Sequence, residues 1–272
     1  MSSKKVFLLV IAISIIGAYN YRKNATASSD TGHVSLNSLC EKFGTDKCNR
    51  SGGHNYVEVY ELFFYPIRNV ANKIAEIGIE TGSSLHLWRD YFPHATIYGI
   101  DIDDNSNLDS ERIKTFVGDQ SKRENLQKFI TKYGSNFDFI LDDGGHSMEQ
   151  QQISLGFLFR HVKPGGYYII EDLQASLRKL YEPNFGPDPL HIYLWKLKQS
   201  NFGAEPDESN TTLTMIQTFI KTRSINSKYL ANEEAEYLNN TIAYCNLFSR
   251  NESFSNISPI HSITCILKKK DS

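Results

Sequence analysis

The stretch from Phe137 to Asp172 restricts the possible fold more than any other. It reads Phe137-Asp138-Phe139-Ile140-Leu141-Asp142-Asp143-Gly144-Gly145-His146, then a helical pattern, then Gly166-Tyr167-Tyr168-Ile169-Ile170-Glu171-Asp172. Phe137 to Leu141 is a short apolar run ending in turn residues, the pattern of a buried strand. Ser147 opens a helix, and Gln150 stands three residues on, where a capping box needs it. Leu155, Leu158, Phe159 and Val162 recur at helical spacing and predict one buried face. Pro164-Gly165-Gly166 stops that helix, and a second apolar strand follows. Such a β-α-β unit lays its strands parallel with a right-handed crossover.

Ligands of open parallel sheets bind at the carboxyl ends of the strands. Asp142, Asp143 and His146 stand at one such end, and Glu171 and Asp172 at the next. Carboxylates crowded together repel unless a cation sits among them, and hard oxygens suit Mg²⁺. A lone Asp more simply caps a helix or solvates a turn. Acids at two adjacent strand ends point instead to a shared cation.

The 272 residues make one large domain or two small ones, and 40% hydrophobic residues suffice for a core. A net charge of −2 removes any chain-wide basic attraction to nucleic acid. The N-terminus departs from the rest: Lys4-Lys5 precede an apolar run from Val6 to Ala18, and Tyr21-Arg22-Lys23 close it. Residues 1–23 read as a secretory signal, cleaved or retained, and the lack of a small-x-small cleavage site favours a retained membrane anchor. Residues 24–33 are polar and small and read as a linker, so the globular domain is expected over 34–272. In a secretory lumen Cys40–Cys48 and Cys245–Cys265 form two disulfides; elsewhere they are four free thiols. The sequons at Asn24, Asn49, Asn210, Asn239, Asn251 and Asn256 agree with a secreted glycoprotein.

Along the domain, Ser35 to Phe43 and Val59 to Ile67 read as helices, and Lys73 to Ile79 as the first strand. A helix with Leu85, Trp88 and Phe92 inward follows, then strands at Thr96–Ile102 and Ile113–Val117. Ser121 and Glu124 are placed to cap the next helix, whose stripe is Leu126, Phe129, Ile130 and Tyr133. Leu173 to Pro206 reads as an irregular loop, a candidate lid. Leu213–Thr222 reads as a helix, and Thr241–Phe248 with Ile263–Leu267 as a closing hairpin that brings Cys245 near Cys265. Alternating strands and helices imply a doubly wound α/β domain.

Glu76-Ile77-Gly78-Ile79-Glu80-Thr81-Gly82-Ser83 follows the first strand and opens a helix, so its backbone can approach a ligand closely. The dinucleotide fingerprint G-x-G-x-x-G is absent. An acid at the first strand's end suits a cationic ligand better than a pyrophosphate. Asp101 at the second strand's end is placed for ribose hydroxyls, and Asp119 for an adenine amine. A nucleoside carrying positive charge is S-adenosylmethionine. The cofactor set is then Glu76, Gly78, Gly82, Ser83, Ser84, Asp101, Asp119, Gln120 and Asp142.

With these residues in view, the chain resembles class I S-adenosylmethionine-dependent methyltransferases, and more narrowly the macrolide-sugar O-methyltransferases of the mycinamicin and tylosin type. Phe43-Gly44-Thr45-Asp46-Lys47 with His54 and Tyr56, Glu76-Ile77-Gly78 with Ser84-Leu85 and Trp88, and Asp142-Asp143-Gly144-Gly145-His146 with Glu171-Asp172 carry the resemblance. It spans roughly Leu36 to Leu173. It implies a mostly parallel seven-stranded sheet with the last strand antiparallel. It also implies Mg²⁺ held by Asp143, Glu171 and Asp172, His146 as catalytic base, and a small-molecule or glycan acceptor. Gly145 stands where that family usually has a serine, and the region after Leu173 matches poorly, so no macrolide acceptor is implied. The alternatives are a non-catalytic or hydroxylase-like member of the same fold, or an NAD-dependent oxidoreductase.

Overall fold

The computed structural model describes residues 34–49, 53–176, 210–252 and 260–271. The expected anchor and linker, and all of the expected lid beyond Ser176 up to Pro206, lie outside the described residues. No helix among the described residues is long and apolar enough to cross a membrane.

Seven strands form one sheet: β1 (Lys73–Ile77), β2 (Thr96–Asp101), β3 (Ile113–Val117), β4 (Phe137–Asp142), β5 (Val162–Ile170), β6 (Ile242–Glu252) and β7 (Ile260–Lys269), in the order β3-β2-β1-β4-β5-β7-β6. β1 to β5 are mutually parallel, and β7 runs antiparallel to both neighbours. The order reverses between β1 and β4, where the strands leading to β2 and to β5 diverge. A crevice opens at such a switch point, and β1 and β4 carry the glycine turn and the acid cluster there.

Helices cover both faces. α1 (Leu36–Phe43), α2 (Tyr56–Phe64) and α3 (Ser83–Tyr91) lie on one, and α4 (Arg123–Tyr133), α5 (Met148–Leu158), α6 (Thr212–Thr222) and α7 (Asn232–Thr241) belong to the other. Alternation over the end of β4 divides its side chains between the layers: Phe139 and Leu141 join the α1–α3 core and Ile140 the opposite one, while Phe137, on the other side of a register irregularity, also joins the opposite core. Phe139 stacks on Phe64 at 4.3 Å between ring centroids, and both are fully buried. Of the stripes expected from periodicity, Leu85, Trp88 and Phe92, Leu126, Phe129 and Ile130, and Leu155, Leu158 and Phe159 are buried, and Tyr133 is half-buried. Val162 is buried as the first residue of β5, because the helix ends at Leu158 and β5 runs through Pro164-Gly165-Gly166.

Differences from expectation are local. β1 stops at Ile77, because Gly78 adopts φ +88 and turns the chain. The second helix begins at Tyr56 and gives way to a 3₁₀ turn over Tyr65–Ile67. Ser147 and Gln150 do form their capping box. Ser121 and Glu124 do not: α4 starts after Lys122 with no side-chain cap, and the Ser121 hydroxyl donates to Asp119 instead. Both cysteine pairs are bridged, with Cα–Cα separations of 5.4 Å for Cys40–Cys48 and 6.6 Å for Cys245–Cys265. In the β6–β7 register Cys245 faces Leu267 and Cys265 faces Leu247, so that bridge is diagonal.

Candidate active site

A cavity of about 820 Å³ opens at the carboxyl ends of β1 to β4. Of the residues expected at a site, Gly78, Ser83, Ser84, Asp101, Asp119, Gln120, Asp143, His146 and Asp172 line it. Glu76, Gly82, Asp142 and Glu171 are not part of that lining.

The glycine turn is strapped to its neighbours. Gly78 N donates to Ile100 O at 2.8 Å, and Asp143 N to Ile77 O at 2.9 Å. A Cβ on Gly78 would meet the Asp143 carbonyl oxygen at 2.1 Å, so only glycine lets the two strand ends come this close. Asp101 accepts Ile79 N at 2.6 Å and Asp103 N at 3.0 Å, which fixes the loops on both sides of the cavity. Asp119 accepts from Ser121 N and its hydroxyl.

Asp142 works beneath the cavity floor. It is fully buried and receives hydrogen bonds from Gln120 Nε2 at 2.9 Å, from Tyr168 at 3.1 Å and from the Ser154 hydroxyl. Gln120 Oε1 accepts Gly145 N at 2.8 Å, so Asp142 braces the loop that carries His146 through Gln120. Burial pushes the Asp142 carboxyl up to about 6, against the pull of those donors. Glu76 is likewise fully buried, with one oxygen accepting Trp88 Nε1 at 3.0 Å, and burial pushes it up to about 7.

At the other end of the cavity, His146 Nε2 lies 3.4 Å from Asp172 Oδ2 and 3.9 Å from Asp143 Oδ1. One ligand atom from each of Asp143, His146 and Asp172 falls within 4.8 Å of the others, a spacing that fits one metal ion. Asp172 also accepts from Tyr56 OH and Gln174 Nε2, each at 2.8 Å. Burial alone would raise its pKa, but the His146 and His54 imidazoles and these donors hold it below the ordinary range. His146 has φ 58 and Asp172 φ 54. A left-handed backbone at a non-glycine residue costs on the order of 1–3 kcal/mol, and such strain gathers where side-chain aim matters.

Glu171 departs from the expected metal set. It is 1% exposed, with Oε1 accepting Tyr60 OH at 2.6 Å and Oε2 accepting Lys47 Nζ at 2.7 Å. Lys47 also pairs with Asp143. Its role was not visible in sequence: it belongs to the Phe43–Lys47 motif, but 96 residues separate it from Asp143. Tyr60 was missed for the same reason.

No family model matches the chain. Demethylmacrocin O-methyltransferase of Streptomyces fradiae is 37% identical over 177 residues, which are 61% of this chain and 43% of that protein. Mycinamicin VI 2''-O-methyltransferase of Micromonospora griseorubida is 39% identical over 140 residues, 49% of this chain and 34% of that protein. The solved structure of the MycE methyltransferase of mycinamycin biosynthesis, in complex with Mg and SAH, superposes with a TM-score of 0.61 at 27% identity. That alignment covers 87% of this chain and 55% of MycE.

Over part of its length the chain is similar to macrolide-sugar O-methyltransferases. It carries the class I methyltransferase fold, with β7 inserted antiparallel between β5 and β6. The matched stretches span less than half the length of these curated relatives. Asp143 and Asp172 of the acid cluster, the glycine turn and Asp101 all line one cavity.

Proposed function

We propose that the protein is an S-adenosylmethionine- and Mg²⁺-dependent O-methyltransferase acting on a hydroxyl of a sugar or glycosylated small molecule. The observation that carries this is one cavity with a nucleoside end, lined by Gly78, Asp101 and Asp119, and an acid end, lined by Asp143, His146 and Asp172. The relatives' names, and the Mg and SAH held by MycE, support the same reading. Asp101 and Asp119 take the ribose and adenine, with Gln120 beside them. Gly78 lets the backbone approach the methionine part, and Ser83 and Ser84 present the N-terminus of α3 to it. Glu76 sits behind, an acid suited to a cationic ligand.

The acid end fits a hard divalent ion through Asp143 and Asp172, with Glu171 beside them. What such an ion supplies is a lowered pKa for an acceptor hydroxyl. His146 would take the hydroxyl proton at Nε2, and the Asp172 carboxylate beside that nitrogen steadies the charged ring that results. Alignment of acceptor oxygen and donor methyl then accounts for much of the remaining barrier.

Calorimetric titration should show binding of S-adenosylhomocysteine and none of NAD; the reverse would favour the oxidoreductase. Asp143→Asn should abolish Mg²⁺-dependent turnover while S-adenosylhomocysteine still binds. His146→Ala should keep both ligands and lose about 10²–10⁴ in rate. Full turnover in EDTA would end the metal assignment.

The secretory, membrane-anchored location remains part of the proposal. Both cysteine pairs being bridged supports it, since disulfides persist in oxidising compartments. A mobility shift on endoglycosidase treatment of the protein from its native host would support it, and uniformly reduced cysteines there would oppose it.

A further inference from the structure

Lys47 is 1% exposed, and its ammonium is surrounded by acids. Nζ donates to Glu171 Oε2 at 2.7 Å, pairs with Asp143 Oδ2 and lies 3.8 Å from Glu76 Oε1. The site therefore already contains a cation. The backbone that carries it is clamped: Cys48 is bridged to Cys40, and Lys47 O accepts Val57 N at 3.2 Å. The four-carbon stem is the movable part, and Lys47 borders the cavity.

We propose that Lys47 is an internal counter-cation of the acid site, and that a divalent metal ion competes with its ammonium for Asp143 and Glu171. This rests on the metal part of the function proposed above. It accounts for the place of Glu171 outside the acid cluster. With Lys47 in place, Glu171 is engaged by two donors and stands apart from the trio of Asp143, His146 and Asp172. Two cations on the same carboxylates repel, so the ion gains Glu171 only as the lysine gives it up. Lys47 is thus a positioning residue. It neutralises Asp143 and Glu171 without metal, and it weakens metal binding.

The direction of that effect is the test. The full-length protein, stripped of metal with chelator, is titrated with Mn²⁺, and free Mn²⁺ is read by electron paramagnetic resonance. Lys47→Met should bind Mn²⁺ about ten- to a hundredfold more tightly than the unaltered protein, because one positive charge a few ångströms away has gone. Lys47→Arg should stay within a fewfold of the unaltered protein. A lysine that only held the fold together would give weaker binding on removal, so unchanged or weaker Mn²⁺ affinity in Lys47→Met overturns the proposal. If Lys47→Met does not fold, Lys47→Gln, which keeps a donor for Glu171, carries the same comparison. S-adenosylhomocysteine binding is measured in parallel. Where it binds normally and Mn²⁺ binds to neither protein, the competition fails while the methyl-donor reading stands.

Discussion

At the scale of single residues, Glu76 gives the clearest pH prediction. Its folded-state pKa, about 7, stands above the ordinary 4.5 because the carboxyl is buried. The folded protein therefore holds a proton that the unfolded chain releases between about pH 4.5 and 7. This contribution to stability is full below pH 4.5 and is lost as pH rises through 7. Glu76→Gln stays neutral throughout, and its carbonyl oxygen can still accept from Trp88. Urea unfolding should find the variant and the unaltered protein alike at pH 4.5, and the variant more stable by on the order of 1–3 kcal/mol at pH 7.5. The gain should come with weaker S-adenosylhomocysteine binding if Glu76 serves the donor's cationic end, since strained or charged sites trade stability for function. Asp101 answers differently. Its carboxylate holds Ile79 N and Asp103 N, so Asp101→Ala removes the cavity's wall along with the ribose acceptor. Calorimetry on Asp101→Ala should show a loss of at least about 1.5–3 kcal/mol of cofactor binding.

At the scale of elements, the turn after β1 and the loop after β4 behave as one unit. Gly78 combines φ +88 with a Cβ position 2.1 Å from a backbone oxygen of Asp143, and backbone cannot swing aside as a side chain can. Gly78→Ala should therefore cost about 1–3 kcal/mol for the backbone conformation alone. It should also displace Asp143, so thermal unfolding temperature and Mn²⁺ affinity should fall together. A contrast comes from Gly145, where an added Cβ meets only the Gln150 side-chain amide, at 2.3 Å. Gly145→Ser should cost less, at the expense of the α5 capping box in which Gln150 takes part. The Cys40–Cys48 bridge closes a short loop beside Lys47. Removing it as a Cys40→Ser, Cys48→Ser pair should lower stability by about 2–3 kcal/mol in chemical denaturation.

For the whole molecule, both core layers meet at the sheet, and the cavity lies where their helices part at the β1–β4 switch point. A ligand that bridges these strand ends stabilises the entire domain, because it binds only the folded state. Saturating S-adenosylhomocysteine, at about a hundred times its dissociation constant, should add about 2.7 kcal/mol and raise the melting temperature by roughly 5–10 °C. NAD at the same concentration should leave the melting temperature unchanged.

How much of this was legible in advance follows from the range of the forces involved. Local periodicity sufficed for the strands and helices, since Leu155, Leu158 and Phe159 bury one face whatever lies against them. Chain order within the β-α-β unit placed Asp143 and Asp172 at neighbouring strand ends, because a right-handed crossover leaves little choice. The capping of α4 was misread, since Ser121 had a nearer partner in Asp119. Only the folded packing could decide what crosses from one end of the chain to the other. Lys47 reaches Glu171 across 124 residues, Tyr60 does so across 111, and Gln120 props Asp142 across 22. These contacts have no period and no spacing, so sequence alone carried no sign of them. They form because a charge or polar group forced inside by its neighbours must find a partner there, and the strand ends deliver acids to that place.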